Sequence, residues 1–183
     1  MTEKHELRAT MRALRKRLAE ASPDASGRAA GFVDNLPPSE TVAVYRAVGA
    51  ELDPEPLAMV LERAGRRLCL PVALERDAAL VFRRWSPGEP LEMDVAGCPA
   101  PLPLAEIVVP DLIITPLLAF DAEGGRLGQG GGYYDRTFAA LLDATRIGFA
   151  YSGQAVDPLP MEAHDMRLHG VLTEVGYTAA RKV

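Results

Sequence analysis

A glycine-rich segment near the middle of the chain, residues 126–136, holds the residue types best suited to chemistry. It reads Arg-Leu-Gly-Gln-Gly-Gly-Gly-Tyr-Tyr-Asp-Arg, with four glycines in the five positions 128–132. Glycine loses more conformational freedom on folding than any other residue, so this run would be costly in an ordinary strand or helix. We infer that its bare backbone brings amide N–H groups close to phosphate, while Arg126 and Arg136 neutralise charge and Asp135 holds a metal.

The segments on either side of the glycines indicate how this loop is positioned. Residues 111–120 form a nearly continuous apolar run, which is typical of a buried parallel strand. Residues 147–150 have the character of the next strand. Between them, apolar residues recur at the spacing of a helix, namely Tyr134, Phe138, Leu141 and Leu142. This order directs the positive end of the helix dipole at the glycine loop.

The glycine loop does not match either of the common nucleotide-binding motifs. It lacks the Gly-Lys-Ser/Thr ending of a P-loop, and the dinucleotide spacing counted from Gly128 would need glycine where Tyr133 stands. A flexible surface turn is the alternative that glycine content alone leaves open. The charged residues at both ends favour phosphate binding. We also expect Gly131 to adopt a positive φ, which a β-branched residue tolerates poorly.

Residues 120–136 resemble the signature of the 5-formyltetrahydrofolate cyclo-ligase family, also called methenyltetrahydrofolate synthetases. Further matching positions are Lys4 with Arg8, residues 45–51, Phe82, Trp85, Pro87-Gly88, residues 110–112, Gln154, Leu159-Pro160, His164-Asp165 and Thr173-Glu174. The resemblance implies conversion of 5-formyltetrahydrofolate, with or without a polyglutamate tail, to 5,10-methenyltetrahydrofolate. ATP and Mg²⁺ would be required, and ADP and phosphate released. It also implies a phosphorylated formyl intermediate, an iminium phosphate, whose formation asks the protein mainly for positioning and charge neutralisation.

The same resemblance implies roles for individual residues. Arg126 and Asp135 would be catalytic, and Asp135 and Asp165 would bind Mg²⁺, since carboxylates hold this ion beside phosphates. The substrate-binding residues would be Arg46, Glu51 and Tyr133. The ATP-binding residues would be Lys4, Arg8, Arg126, Gly128, Gln129, Gly130, Gly131, Gly132, Tyr133 and Tyr134. His164 would be a positioning residue, while Trp85 and the tyrosine pair would either stack on a ligand or belong to the core.

Glu51 also attracts attention without the family resemblance. It follows the predicted strand 41–45, and open α/β sheets bind ligands at the carboxyl ends of their strands. The resemblance adds that this carboxylate would contact the folate and accept hydrogen bonds from the N–H donors of the pterin. A solvated loop carboxylate is the alternative. Arg46 lies nearby, but its local sequence departs from the commoner family pattern.

The first twenty residues predict an amphipathic helix. Its apolar stripe comprises Leu7, Met11, Leu14 and Leu18. A basic stripe lies beside it, and we assign its Lys4 and Arg8 to ATP from the resemblance. We expect the remaining basic residues to be surface or supporting charges, namely Arg12, Arg15, Lys16 and Arg17.

The rest of the chain alternates between predicted strands and helices. Helices are expected at about residues 27–35 and from Asp53-Pro54 to Gly65, and a loop at residues 99–110. Strands are expected at residues 41–45, 67–72, 80–84 and 171–174. The pattern predicts an α/β fold with one domain spanning residues 1–183. The resemblance narrows this to a three-layer sandwich with a mostly parallel sheet, similar to the ribose-phosphate isomerase and CoA-transferase group.

Composition limits the function classes. The 183 residues are 48% hydrophobic and carry a formal net charge of -5, which argues against a general nucleic-acid binder. Cys69 and Cys98 have no metal-ligand spacing, which indicates a reducing compartment. The sequence has neither a signal peptide pattern nor an apolar run of membrane-spanning length. We therefore expect a cytoplasmic monomer that binds neither membrane nor nucleic acid.

Two other classes of function remain open at this stage. A relative that has lost turnover would be a folate or nucleotide binder or an RNA-associated protein, although the intact charged residues argue against this. An unrelated phosphotransferase or sugar-phosphate isomerase would use the same loop for a different substrate. Strict dependence on ATP would exclude the isomerase.

Overall fold

Short apolar segments form the strands of the computed structural model, which describes residues 3–163 and 165–181. The strands are β1 Thr41–Ala43, β2 Arg67–Val72, β3 Val81–Arg84, β4 Leu91–Met93, β5 Pro99–Pro101, β6 Leu112–Pro116, β7 Ala119–Phe120, β8 Arg126–Leu127, β9 Thr145–Phe149, β10 Gly170–Thr173 and β11 Gly176–Ala179. The helices are α1 Glu3–Ala21, α2 Ala25–Ala30, α3 Glu55–Arg63 and α4 Tyr133–Ala140. Two short 3₁₀ helices span Val33–Asn35 and Ser152–Gln154.

The main sheet has seven strands in the order β11-β10-β9-β6-β1-β2-β3. The strands from β10 to β2 are mutually parallel, and antiparallel β11 and β3 form the edges. From β1 the chain continues to β2 on one side, whereas the later strands β6 and β9 lie on the other. The strand order therefore reverses between β1 and β6. In open α/β sheets such a switch point leaves a crevice at the carboxyl ends of the strands.

Successive residues of the central strands point to opposite faces and enter different cores. Val42 packs with Leu57 of α3 on one face of the sheet. Ala43 and Ile113 join Phe138 of α4 in the core on the other face. Helices thus cover both faces, as the continuous apolar character of the strands requires. The predicted α/β fold with a mostly parallel sheet in three layers is confirmed.

Helix α1 packs against hairpin β7–β8, and near its end Leu18 and Ala19 pack against the main core. Met11 is buried with Leu118 and Leu127, and the partly buried Leu7 and Leu14 pack beside them. The apolar stripe predicted for this helix therefore meets an apolar surface. No helix in residues 3–163 and 165–181 has the length and apolar character needed to cross a membrane.

Three sequence-based expectations about the elements were wrong in part. The apolar run 111–120 forms β6, which ends at Pro116, and then β7, because proline has no N–H with which to continue a ladder. The helix expected at 27–35 is α2 followed by the 3₁₀ turn Val33–Asn35. The loop expected at 99–110 contains β5, which pairs with β4 in a two-stranded hairpin. Prolines are tolerated there because a short edge strand does not need every N–H.

The buried side chain of Asp121 joins hairpin β7–β8 to the segment that follows β9. Its Oδ1 accepts hydrogen bonds from the N–H groups of Glu123 at 3.0 Å and Gly125 at 2.6 Å. Its Oδ2 accepts one from the N–H of Leu159 at 3.2 Å. Arg126 lies in the hairpin and Asp165 lies shortly after Leu159. Asp121 therefore fixes two separate parts of the chain that carry candidate site residues.

We expect Asp121→Asn to lower the free energy of unfolding by about 1–3 kcal/mol, because an amide N–H would face a backbone N–H left without an acceptor. Denaturant unfolding measures the change. Asp143→Asn is the control, since this exposed acid loses the same charge without losing such contacts. Its effect should stay within about 0.5 kcal/mol. Equal stability of the two variants would show that the Asp121 contacts are unimportant.

Candidate active site

A cavity of about 430 Å³ lies at the carboxyl ends of β1, β2 and β6, where the strand order reverses. Its wall includes Tyr45 after β1, Pro71 in β2 and Leu117 after β6. The other walls come from α1, the glycine loop, the start of α4 and hairpin β4–β5. All the residues assigned to catalysis, ATP, substrate or metal line this one cavity, namely Lys4, Arg8, Arg46, Glu51, Arg126, Gly128, Gln129, Gly130, Gly131, Gly132, Tyr133, Tyr134, Asp135 and Asp165.

The glycine loop adopts a conformation that needs glycine at two positions. Gly130 has a φ of 106° and Gly132 has a φ of 68°, both in the region that side chains disfavour. Gly132 is also the N-cap of α4, so its left-handed conformation starts the helix. Gly131 does not have a positive φ, and the expectation that it does was wrong. A side chain there would instead approach the Tyr133 ring, 3.2 Å from the Cβ position.

Arginine side chains hold the loop by its carbonyl groups. Arg8 Nε donates to Gly128 O at 3.0 Å, and Arg12 Nη2 donates to the next carbonyl, that of Gln129, at 3.4 Å. Arg136 Nη2 donates to Gly131 O at 2.8 Å. Arg136 is thus committed to the backbone and does not line the cavity. Its guanidinium braces the loop through this carbonyl, and its expected role in neutralising phosphate charge stays a prediction.

The backbone N–H groups of the same loop have no hydrogen-bond partners among the described residues. Residues 128–135 all line the cavity, and none of their N–H groups donates to another residue in the described part of the chain. The first amides of a helix have no partner within the helix, which explains the last three. Such a row of donors at a helix N-terminus attracts anions, because the helix dipole adds partial positive charge.

Arg126 and Asp135 form an ion pair on the cavity wall. Arg126 Nη2 lies 3.0 Å from Asp135 Oδ1, which also accepts a hydrogen bond from Met166 N at 3.4 Å. The Arg126 guanidinium lies 5.7 Å from the ring centres of Tyr134 and Phe138. Its Nε is buried and has no partner among the described residues. Arg126 is therefore both a cavity residue and part of the packing beneath α4.

Lys4 forms ion pairs with two further acidic residues that line the cavity. Its Nζ lies 2.5 Å from Asp165 Oδ2 and 3.5 Å from Glu162 Oε1. Asp165 Oδ2 also accepts a hydrogen bond from Glu162 N at 2.7 Å. The described residues contain no group of three or more His, Cys, Asp or Glu side chains arranged around a metal. His164 lies outside the described residues.

Glu51 lies deep in the cavity, with 9% of its side chain exposed. Its Oε2 accepts a hydrogen bond from Val48 N at 3.0 Å, and its Oε1 lies 3.5 Å from Arg15 Nη1. Burial raises the pKa of Glu51, while the Val48 N–H and the Arg15 charge oppose the increase. The alternative of a solvated loop carboxylate was wrong.

Arg15 itself is buried, with 6% of the residue exposed, which excludes a surface charge and leaves the expected alternative of a supporting charge. It supports the site indirectly, because it contacts Glu51 but does not line the cavity itself. Arg12 is exposed, and its Nε donates to Gln129 Oε1 at 3.0 Å, which makes it a supporting charge as expected. The repeating basic stripe on the first helix was the available signal for both residues.

Arg46 and Trp85 form one unit at the cavity edge. Arg46 Nη1 lies 3.0 Å from Glu55 Oε2, and its guanidinium lies 5.8 Å from the centre of the Trp85 ring. Trp85 is buried in the main core and does not line the cavity. Of the two alternatives for Trp85, the core role is therefore the correct one. Tyr133 and Tyr134 line the cavity, and burial raises the pKa of Tyr134.

Asp94 is a cavity residue that sequence reasoning missed. Its Oδ1 accepts hydrogen bonds from the N–H groups of Ala96 and Cys98, both at 2.9 Å. Its Oδ2 accepts one from Ala73 N at 2.8 Å, which ties the tip of hairpin β4–β5 to the end of β2. The Asp-Val-Ala-Gly turn was the available signal, since Asp often accepts hydrogen bonds from the backbone two residues ahead.

Known proteins resemble this chain in sequence and in structure. The model of the 5-formyltetrahydrofolate cyclo-ligase family matches residues 1–174. The 5-formyltetrahydrofolate cyclo-ligase of Escherichia coli K12 is 39% identical over 145 residues, which cover 74% of this chain and 78% of the relative. That of Mycolicibacterium smegmatis is 35% identical over 181 residues, 93% of each chain.

A solved structure gives the same result for the whole fold. The 5,10-methenyltetrahydrofolate synthetase of Aquifex aeolicus superposes with a TM-score of 0.83 at 30% identity, covering 100% of this chain and 95% of that one. Family model, relatives and fold agree over nearly the full length. The chain belongs to the 5-formyltetrahydrofolate cyclo-ligase family of enzymes.

Proposed function

We propose that the protein converts 5-formyltetrahydrofolate to 5,10-methenyltetrahydrofolate in an ATP- and Mg²⁺-dependent reaction that releases ADP and phosphate. The observation that carries this proposal is the combination found in one cavity. Unpartnered amide groups of residues 128–135 and the cation Arg126 lie in the same cavity as the buried carboxylate Glu51. The names of the relatives support the folate substrate.

The glycine loop is the proposed site of the ATP phosphates. Its amides donate hydrogen bonds without further rearrangement, and Lys4, Arg8 and Arg126 surround the same part of the cavity. Asp135 and Asp165 have the hard oxygen donors that Mg²⁺ prefers, and both line the cavity, so the donor set fits this ion. When bound, Mg²⁺ supplies neutralisation of phosphate charge.

The folate is proposed to lie on the Glu51 side of the cavity. A carboxylate is an acceptor-only group when ionised, which suits the amino and ring N–H donors of a pterin. The cavity volume of about 430 Å³ is within the usual range for small-molecule sites. Arg46 and Tyr133 line the same cavity and are proposed to contact the substrate.

The residues would then act by positioning and by charge. The formyl oxygen attacks the γ-phosphorus of ATP and ADP departs, which leaves an iminium phosphate. The neighbouring folate nitrogen attacks the activated carbon and gives up its proton to solvent, and loss of phosphate then completes the conjugated ring. The backbone amides and Arg126 stabilise the negative charge on the transferred group. No protein nucleophile is needed, because the substrate oxygen is the acceptor.

The experiment that tests the proposal is the rise of methenyltetrahydrofolate absorbance on mixing protein, ATP, Mg²⁺ and 5-formyltetrahydrofolate. We expect turnover that stops when ATP is omitted or when the ion is chelated. Turnover without ATP would contradict the phosphoryl-transfer mechanism. No turnover with all components present would contradict the proposed function.

Gly132→Ala should weaken ATP binding strongly, because its Cβ would lie 2.6 Å from Arg136 Nη1 and displace the arginine that braces the loop. Gly65→Ala is the matched control, since Gly65 has a φ of 79° and open space around its Cβ position. Both variants should lose stability by about 1–2 kcal/mol from the left-handed conformation. Calorimetric titration with a non-hydrolysable ATP analogue should show weaker binding for Gly132→Ala alone. Equal ATP affinities would place the phosphates elsewhere.

Arg126→Met and Asp135→Asn should each lower kcat by about a hundredfold or more, as expected when charge stabilisation of a transition state is lost. Arg126 is buried, so Arg126→Met also leaves Asp135 without its ion-pair partner. The double variant restores a neutral pair and should recover thermal stability without recovering activity. Near wild-type activity of either single variant would rule out its catalytic role.

Glu51→Gln should raise the KM for 5-formyltetrahydrofolate by about tenfold or more, because one acceptor is replaced by a donor that faces pterin donors. The KM for ATP should change by less than about twofold. Steady-state kinetics with each substrate varied in turn separates the two effects. An equal loss for both substrates would place Glu51 outside the pterin site.

A further inference from the structure

Arg15 is a buried cation that touches the candidate site without lining it. It lies one turn of α1 beyond Met11, with 6% of its surface exposed. Its Nη1 donates to Leu117 O at 3.2 Å and lies 3.5 Å from Glu51 Oε1. Its Nε has no partner among the described residues. An arginine is rarely buried unless a partner balances its charge, which indicates that the contact between Arg15 and Glu51 has a function.

The position of Arg15 connects it to the two sides of the switch point. Leu117 directly follows β6, and Glu51 lies between β1 and α3. Gln154 Nε2 donates to the same Leu117 carbonyl at 3.0 Å and to that of Leu118 at 2.9 Å, so the acceptor of Arg15 is itself fixed. The guanidinium is therefore held against a rigid strand end. It pairs with the Glu51 carboxylate, which lines the cavity, whereas Arg15 itself does not line it.

The other ionisable groups that interact with Glu51 supply no positive charge to it. Tyr45 from the end of β1, Tyr134 from α4 and Cys98 from hairpin β4–β5 have pKa values raised by burial and, in part, by the Glu51 charge. The Gln129 side chain from the glycine loop also interacts with Glu51. None of these groups carries positive charge. A buried carboxylate without a cation tends to take up a proton.

We propose that Arg15 is a positioning residue that keeps Glu51 ionised and correctly oriented for the pterin. This inference rests on the proposed function, because it assumes that Glu51 receives the folate. A protonated Glu51 would present an O–H donor to the pterin donors and bind it poorly. Arg15 therefore sets the lowest pH at which the enzyme uses folate well, although it contacts neither substrate.

Removal of the Arg15 charge should be measured with three variants. Arg15→Met removes the cation, Arg15→Lys keeps it, and Arg17→Met is the matched control from an exposed position on the same helix. We expect Arg15→Met to raise the KM for folate by about tenfold or more and to change the KM for ATP by less than about twofold. The acid limb of kcat/KM for folate should move to higher pH by about one unit or more. Arg15→Lys should keep the acid limb close to its wild-type position, and Arg17→Met should match the wild type.

Several outcomes would overturn the proposal. An unshifted acid limb in Arg15→Met, or equal losses for both substrates, would assign Arg15 a purely structural role. If Arg15→Met does not fold, Arg15→Gln takes its place, since the amide also removes the charge and can still donate a hydrogen bond to Leu117 O. No movement in that variant would equally contradict the proposal.

A readout without turnover separates this inference from the proposed function. Carboxyl NMR of protein labelled with ¹³C-glutamate, assigned with Glu51→Gln, follows the Glu51 titration directly. We expect the Glu51 pKa to rise in the Arg15 variant even if the wild type does not convert folate. Lack of wild-type turnover would contradict only the proposed function. An unchanged Glu51 titration would contradict the role of Arg15.

Discussion

The candidate site depends on cationic side chains of α1. They fix the conformation of the glycine loop and the positions of two carboxylates. A run of glycines whose amides have no partners among the described residues does not by itself favour one backbone conformation. Arg8 and Arg12 fix its carbonyl groups, while Lys4 and Arg15 pair with two carboxylates that line the cavity. One helix thereby sets the loop and both acidic positions relative to one another. The adjacent apolar stripe docks the helix, so packing determines where the charges lie.

This arrangement buries opposite charges, which costs free energy unless the charges are paired. Arg126 pairs with Asp135 and Arg15 with Glu51, each mostly out of solvent. Such pairs are weak evidence for stability, because desolvation offsets much of the attraction. Their use here is better explained by the ligands they prepare for. Under the proposed function, phosphates and a pterin would bring the opposite charges and the donors that these cavity residues can bind.

Much of the fold and of the candidate site could be predicted from the sequence. Apolar runs with strand and helix spacing predicted the α/β class, and the glycine segment predicted where the charged residues gather. The burial of Arg15 could not be predicted, because arginine is mostly exposed and its stripe resembles a solvated helix face. Strand β5 was missed because two of its three residues are proline. The positive φ expected for Gly131 was wrong because left-handed φ values depend on the path of the loop, which sequence spacing does not specify.

A crystal structure of the protein with a non-hydrolysable ATP analogue and 5-formyltetrahydrofolate tests the central claim most directly. The account predicts phosphate oxygens within hydrogen-bond distance of the amides of residues 128–135. Arg8 should remain bonded to the carbonyl of Gly128, and the pterin should donate to Glu51. Phosphates bound away from these amides, or a loop that releases Arg8 on binding, would contradict the claim that α1 holds the loop ready for the nucleotide.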